Sequence, residues 1–294
     1  GAPQFDKIKT EHYLPAFEQA IKEAKAEIDA IVNNPEAPTF ENTVAALDEA
    51  GGRLNDVAGI FYNLLEADTN EQMQDIAEKV SPMMTEYSMY VSLNEPLFAR
   101  VKAVHEGAEG LEPDQARLLW KTWKSFVRGG ANLGAKEKET YSKLSEQLSL
   151  LTLQYGKNVL AATNAFTMNI AEEADLEGLP DFVRETALET AKSKQTEGWA
   201  FDLSAPSYSA FMKYSARRDL RQKMWMAYNT RATEGDNSNV ELCRKIAELR
   251  LKIADILGYE TYADYALEER MAKNPQTVNE FIDKLLTPSL PAAK

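Results

Sequence analysis

Apolar positions recur at three- and four-residue steps along most of this chain, and the pattern is sharpest after Asn239. Val240, Cys243, Ile246, Ala247, Leu249, Ile253, Ile256 and Leu257 fall on one face of a helix. Glu241, Arg244, Lys245, Glu248 and Lys252 fall largely on the others. Gly258 is placed to close that helix, Thr261 to cap a short second one carrying Tyr262, Tyr265 and Leu267, and Pro275 to start a third. On this reading Cys243 is a buried, inert thiol.

Upstream, the spacing predicts a helix from the cap Thr10 to about Val32, ended by the Asn-Asn-Pro of 33–35. Thr39, with Asn42 three residues on, opens a helix to about Leu65. Its Gly51-Gly52 pair costs roughly 1 kcal/mol per glycine relative to Ala, so either a kink or the close approach of a neighbouring helix is expected there. Thr69 or Asn70 caps the next helix, which Pro82 should bend, and Pro96 starts a continuation to about His105. Pro113 opens a helix bearing Leu118, Leu119, Trp120, Trp123, Phe126 and Val127, closed by Gly129-Gly130. A long helix from Ala135 to about Asn164 carries Leu144, Leu148, Leu151, Tyr155 and Leu160 on one side.

The period changes after residue 165. Short alternating segments at about 166–171 and 199–203 predict one strand pair, with a helix over 180–193 between them. Ser204 then caps a helix with Pro206 in its first turn, and a further helix follows with Met224, Trp225 and Tyr228 inward. No βαβ alternation, fixed repeat or Gly/Ser/Pro linker interrupts the chain. The expected fold is therefore mainly α, one multi-helix domain over 1–294 with a sub-division near 165–205.

Composition narrows the function classes. With 44% hydrophobic and 27% charged residues the chain is globular, and no apolar run reaches the roughly 18 residues of a membrane span. A net charge of −13 argues against nucleic acid and anionic membranes as partners. The start GAPQFDKI lacks a basic and apolar leader, so a cytoplasmic location is expected, export requiring a leader removed before Gly1.

The wording of one segment is specific. LRLKIADILGYETYADYALEERMAKNPQTVNEFIDKLL (249–286) closely resembles the thimet oligopeptidase and peptidyl-dipeptidase family of zinc metallopeptidases, where a helix ending in LGY precedes a YA-x-Y turn and MA-x-x-P. FDKIKTEHYLPAFEQAI (5–21) and PTFENTVAALDEAG (38–51) resemble its peptidyl-dipeptidase (Dcp) branch. The resemblance runs in order over nearly the whole chain. It implies a neurolysin-like N-terminal half, built of long helices along one wall of a channel. The C-terminal half, absent from this sequence, would be its partner and carry the zinc, and short peptides would be the substrates. The parent enzyme would release C-terminal dipeptides, its zinc-bound water activated by a glutamate base.

The residues for that chemistry are not in the sequence. A zinc peptidase of this type needs two imidazoles one helical turn apart, as HExxH provides, and a third ligand. This chain has 2 histidines, His12 and His105, and no HExxH. The nearest approximation, HEGAE over 105–109, has glycines within and after it, so the helix should end there and His105 should be a helix-terminus residue. His12 reads as structural or exposed. No residue is assigned as catalytic, cofactor-binding or metal-binding, and the chain alone is expected to bind no zinc and to be inactive. Arg217–Arg221 (RRDLR) is the most basic patch, able to bind a substrate carboxylate or, as expected, to pair with neighbouring acids. Trp120, Trp123 and Phe126 read as core, and Tyr259, Tyr262 and Tyr265 either edge a cleft or pack against a helix. The alternative to a half-enzyme is a non-catalytic helical binding or scaffold module derived from one. A separated half should expose a broad apolar patch, and a module should not.

Overall fold

The computed structural model describes residues 3–293. The fold is mainly helical with one antiparallel strand pair, as the patterning predicts, and it divides into two compact units. The first comprises the chain up to Leu150 together with the segment from Ala247 on; the second is Leu151–Ile246. The chain passes from one to the other inside a helix, α7 (Ala135–Ala165), and returns inside another, α11 (Val240–Ile256).

In the first unit, α1 (Tyr13–Val32) buries Phe17, Ala20, Ala24, Ile28 and Ile31, the i, i+3/i+4 stripe of its sequence. The helix proper starts at Tyr13 rather than Thr10, because 10–12 form a tighter 3-10 turn. There the Lys9 backbone N–H donates to His12 Nδ1 over 3.2 Å. Thr39 and Asn42 form the expected reciprocal cap, with bonds of 3.1 and 2.9 Å. A π-helical turn (Phe40–Ala45) leads into the short α2 (Ala46–Glu49). The diglycine is a full break: α2 stops, Gly51 takes φ +77°, and α3 (Gly52–Ala67) begins. A Cβ on Gly51 would lie 3.2 Å from the Tyr87 hydroxyl, so close packing and left-handed backbone both require glycine there.

Phe61 of α3 is fully buried and meets Tyr13 and Phe17 edge-on at 5.1 and 5.4 Å. α4 (Glu71–Ser92) runs through Pro82, and α5 (Glu95–Gly107) follows, each capped by an asparagine, Asn70 and Asn94. α6 (Pro113–Arg128) packs Leu119 beside Phe40, Val44 and Val104, and Phe126 beside Leu97, Val101 and Ile28. The C-terminal segment adds α12 (Tyr262–Leu267) and α13 (Pro275–Ala293).

The second unit is built on β1 (Met168–Ile170) and β2 (Trp199–Phe201), antiparallel with Met168 opposite Phe201. Gly198 leads into β2 at φ +75°, and a Cβ there would be 2.3 Å from the Ile170 carbonyl oxygen. α8 (Asp181–Ser193), α9 (Ala205–Tyr214) and α10 (Arg218–Asn229) close over the pair around Met168, Ile170, Leu176, Phe201, Phe211 and Met224. A buried amide pair ties its ends: Asn158 donates to Asn239 over 2.9 Å, and Asn239 donates to the Tyr155 carbonyl over 3.1 Å.

Several side chains depart from the sequence expectation. Cys243 is exposed, because α11 buries Ile246, Leu249, Ile253 and Ala254 and turns Val240, Cys243 and Ala247 outward. Trp225 is 49% exposed while Met224 is fully buried; successive helical residues lie about 100° apart, so both cannot face in. Ser204 stands at the cap position of α9 but turns its hydroxyl to Asp202, 2.6 Å away, which also accepts the Ser204 backbone N–H.

Candidate functional site

The tyrosine-rich turn after α11 is pinned onto α6 by a closed polar cluster. Lys124 and Arg128 lie one turn apart on α6. Lys124 Nζ reaches one oxygen of Glu268 at 2.6 Å, and Arg128 pairs with the other. Arg128 also donates to the Tyr265 carbonyl over 2.8 Å, and its guanidinium lies 4.4 Å from the Tyr265 ring centroid. The Tyr259 hydroxyl donates to the Arg128-bound oxygen of Glu268 over 2.7 Å, and Lys121 pairs with Glu269 at 3.0 Å. Thr261 caps α12 by accepting from the Asp264 N–H over 3.1 Å.

The electrostatics fix what this cluster can do. Burial works against the charge on Glu268, but the bonds from Lys124, Tyr259 and Arg128 outweigh it and hold the carboxyl down to about 2. Burial, then the bond to Glu268, pushes the Tyr259 hydroxyl up to about 12. Burial likewise raises Tyr141, on the first turns of α7, to about 12, helped by nearby Tyr265. None of these groups exchanges a proton near neutral pH, so the cluster positions the turn and offers no acid or base. Of the three tyrosines flagged in the sequence, Tyr259 and Tyr265 therefore pack against a helix. Tyr262 lies under the Arg250 guanidinium at 5.2 Å.

The structure does not bring the two histidines together as ligands. His105 stacks on Trp123 with centroids 4.3 Å apart and planes 15° from parallel. α5 ends at Gly107 and the chain is extended at Ala108, so Glu109 is not on the helix that carries His105. No group of three or more His, Cys, Asp or Glu side chains suited to a metal ion occurs among the described residues. Phe126 is core, but Trp120 is half-buried beneath Arg117 and Lys121, at 4.7 and 5.7 Å.

The basic patch splits. Arg217 chelates Asp219, a neighbouring acid as expected though two positions on rather than a helical turn away, and also pairs with Asp175, 42 positions away. Arg218 and Arg221 instead line a pocket of about 360 Å³ with Met212, Gln222 and Trp225. Further pockets lie among the described residues of the first unit. One, of about 350 Å³, lies among α1, α3, α4 and α6 around Gly51 and Tyr87; another, of about 480 Å³, lies beside Pro82, Met89 and Glu146. α13 buries none of its side chains, and Phe281, Ile282, Leu285 and Leu286 are each about half exposed or more. No described helix is long and apolar enough to cross a membrane.

Sequence reasoning flagged the tyrosines but missed Lys124, Arg128 and Glu268, which hold them. The local signal was faint: Lys124 and Arg128, one turn apart, lie on an amphipathic helix that also carries Arg117 and Lys121, and Glu268 is 140 positions away from Arg128.

Residues 211–294 match Peptidase family M3. Over 292 residues, 97% of this chain, the sequence is 32% identical to oligopeptidase A of Haemophilus influenzae and covers 43% of that protein. It is 32% identical to dipeptidyl carboxypeptidase of Escherichia coli over 297 residues, 100% of this chain and 43% of that protein. A probable cytosolic oligopeptidase A of Arabidopsis thaliana is 28% identical, with 98% of this chain and 42% of that protein aligned. The chain thus spans less than half the length of the curated relatives it matches.

Proposed function

The chain belongs to peptidase family M3, and from that premise we propose that it is the N-terminal helical half of a zinc peptidyl-dipeptidase or oligopeptidase acting on short peptides. The observation that carries the reading is alignment over nearly all of this chain with less than half of an oligopeptidase A and a dipeptidyl carboxypeptidase. Its own residues do not fit a zinc centre: one histidine is stacked on a tryptophan, the other is bonded to its own turn, and no cluster of ligating side chains accompanies either among the described residues. Metal and base would come from the second half.

In this reading the chain supplies a wall against which peptides are held, and the α6 cluster keeps the turn after α11 rigid. The apolar face of α13, with Phe281, Ile282, Leu285 and Leu286 open, supports a further folded segment lying against it rather than a self-sufficient scaffold module.

The test is dipeptide release from an amino-blocked peptide, with and without a zinc chelator. The chain alone should release none and should purify without stoichiometric zinc. Adding the separately made C-terminal half should restore chelator-sensitive release. Chelator-sensitive release by the chain alone would overturn the assignment.

A further inference from the structure

Many of the arginines in this acidic chain are committed to oxygen acceptors. Arg53, Arg128, Arg184, Arg217 and Arg244 hold carboxylates, and Arg100 holds the carbonyls of Asn34 and Glu36. Arg218 and Arg221 hold no carboxylate either, and unlike Arg117 and Arg250, which lie over the Trp120 and Tyr262 rings, they stand together at one pocket. Arg218 has no hydrogen bond or ion pair among the described residues, and Arg221 donates only to the Ser215 carbonyl. The adjacent carboxylates do not serve them, since Asp175 and Asp219 are both taken by Arg217.

The two guanidiniums share one face of α10 with Gln222 and Trp225, at the i, i+3, i+4 and i+7 positions, and Met212 of α9 completes the pocket of about 360 Å³. Trp225 is 49% exposed and Met226 46%, on a helix whose inward place is filled by Met224. Two cations without counter-charges beside an exposed indole and a thioether at one pocket combine the polar and apolar groups from which ligand sites are built. Guanidinium forks match a carboxylate, Gln222 can bond an amide, and the indole and thioether suit an apolar side chain. With −13 on the whole chain, a polyanion would be repelled, whereas one local charge would not.

We propose that the Arg218–Arg221–Trp225 face of α10 is a binding site for a carboxylate on a short peptide, next to an apolar or aromatic side chain. That the carboxylate belongs to a peptide rests on the peptidase reading; the charge and aromatic pattern does not. The carboxylate can come from the peptide's C-terminus or from an acidic side chain.

Fluorescence anisotropy of a dye-labelled Ala-Ala-Ala-Phe on the chain itself tests this without any catalysis, so it can fail or succeed independently of peptide hydrolysis. The free acid should bind at least about tenfold more tightly than the C-terminal amide, as loss of a charge-assisted bond predicts. R218Q, at an exposed position, should erase that preference, and W225A should weaken acid and amide alike. R221Q serves as a second arm, read only alongside its unfolding curve because Arg221 also holds Ser215. An amidated peptide containing Glu that binds as well as the free acid would assign the site to acidic side chains and support it equally. Equal binding of acid and amide, an unchanged preference in R218Q, or displacement by inorganic phosphate as effective as by the free acid would each overturn the proposal.

Discussion

Arg128 in the first unit and Arg218 in the second are the same side chain in opposite circumstances. Arg128 is largely buried, shares Glu268 with Lys124 and Tyr259, and lies against the Tyr265 ring. Arg218 stands at the start of α10 in water, its nearest acids already bonded to Arg217. A buried charge must be matched on every side or it destabilises the fold, whereas an exposed charge can remain uncommitted at little cost. Closed charge in the first unit fixes geometry; open charge in the second leaves chemistry available.

The contrast breaks first in the unfolding free energy. R128A leaves Glu268 and the Tyr265 carbonyl without their partner and should lower stability by about 2 kcal/mol. That is less than for a fully buried pair, because a third of the Glu268 side chain still meets water. R218A should change urea unfolding by less than about 0.5 kcal/mol. Equal costs would erase the distinction.

Next comes acid. Glu268 titrates near 2 in the folded chain against an ordinary value of 4.5, so its contribution is present above about pH 4.5 and is lost as pH falls toward 2. Urea midpoints measured across that window should decline less steeply in E268Q than in the parent chain, and R218Q should decline like the parent. A smaller effect is spectroscopic. Tyr259 ionises near 12, held up by burial and by its bond to Glu268, and E268Q should bring that ultraviolet transition down toward its ordinary value of 10. The smallest concerns Trp225: W225F should leave stability within about 0.5 kcal/mol yet remove most of the iodide-quenchable indole emission.

How much of this was legible follows from the range of each interaction. Most helix ends, the Thr39–Asn42 cap and the strand pair are set by neighbours within a few residues, and the periodicity exposes them. At Gly51-Gly52 it suggests a kink or a close approach, whereas the helix breaks outright. Which arc of an amphipathic helix is buried depends on what packs against it. That is why the spacing points Cys243 and Trp225 inward while both stand outward, although Met224, next to Trp225, is buried. The Asn158–Asn239 pair and the Arg128–Glu268 pair join residues 81 and 140 positions apart, and nothing in the local text announces either. At the basic patch, pairing with a neighbouring acid describes Arg217 and Asp219, whereas the Arg217–Asp175 pair spans 42 positions and, like the open Arg218, shows only in the structure.

The second unit lies within the sequence of the first, both connections running through continuous helix, and this sets a timetable for synthesis. When Arg128 leaves the ribosome its partner Glu268 is still 140 codons away, a wait of about 7 to 30 s at roughly 5–20 residues per second. All of Leu151–Ile246 emerges in that interval and can fold before the earlier unit has its last segment. During that time Lys124 and Arg128 stand without their carboxylate at the end of an amphipathic helix, a transient surface that a nascent-chain chaperone would meet and the finished protein never shows.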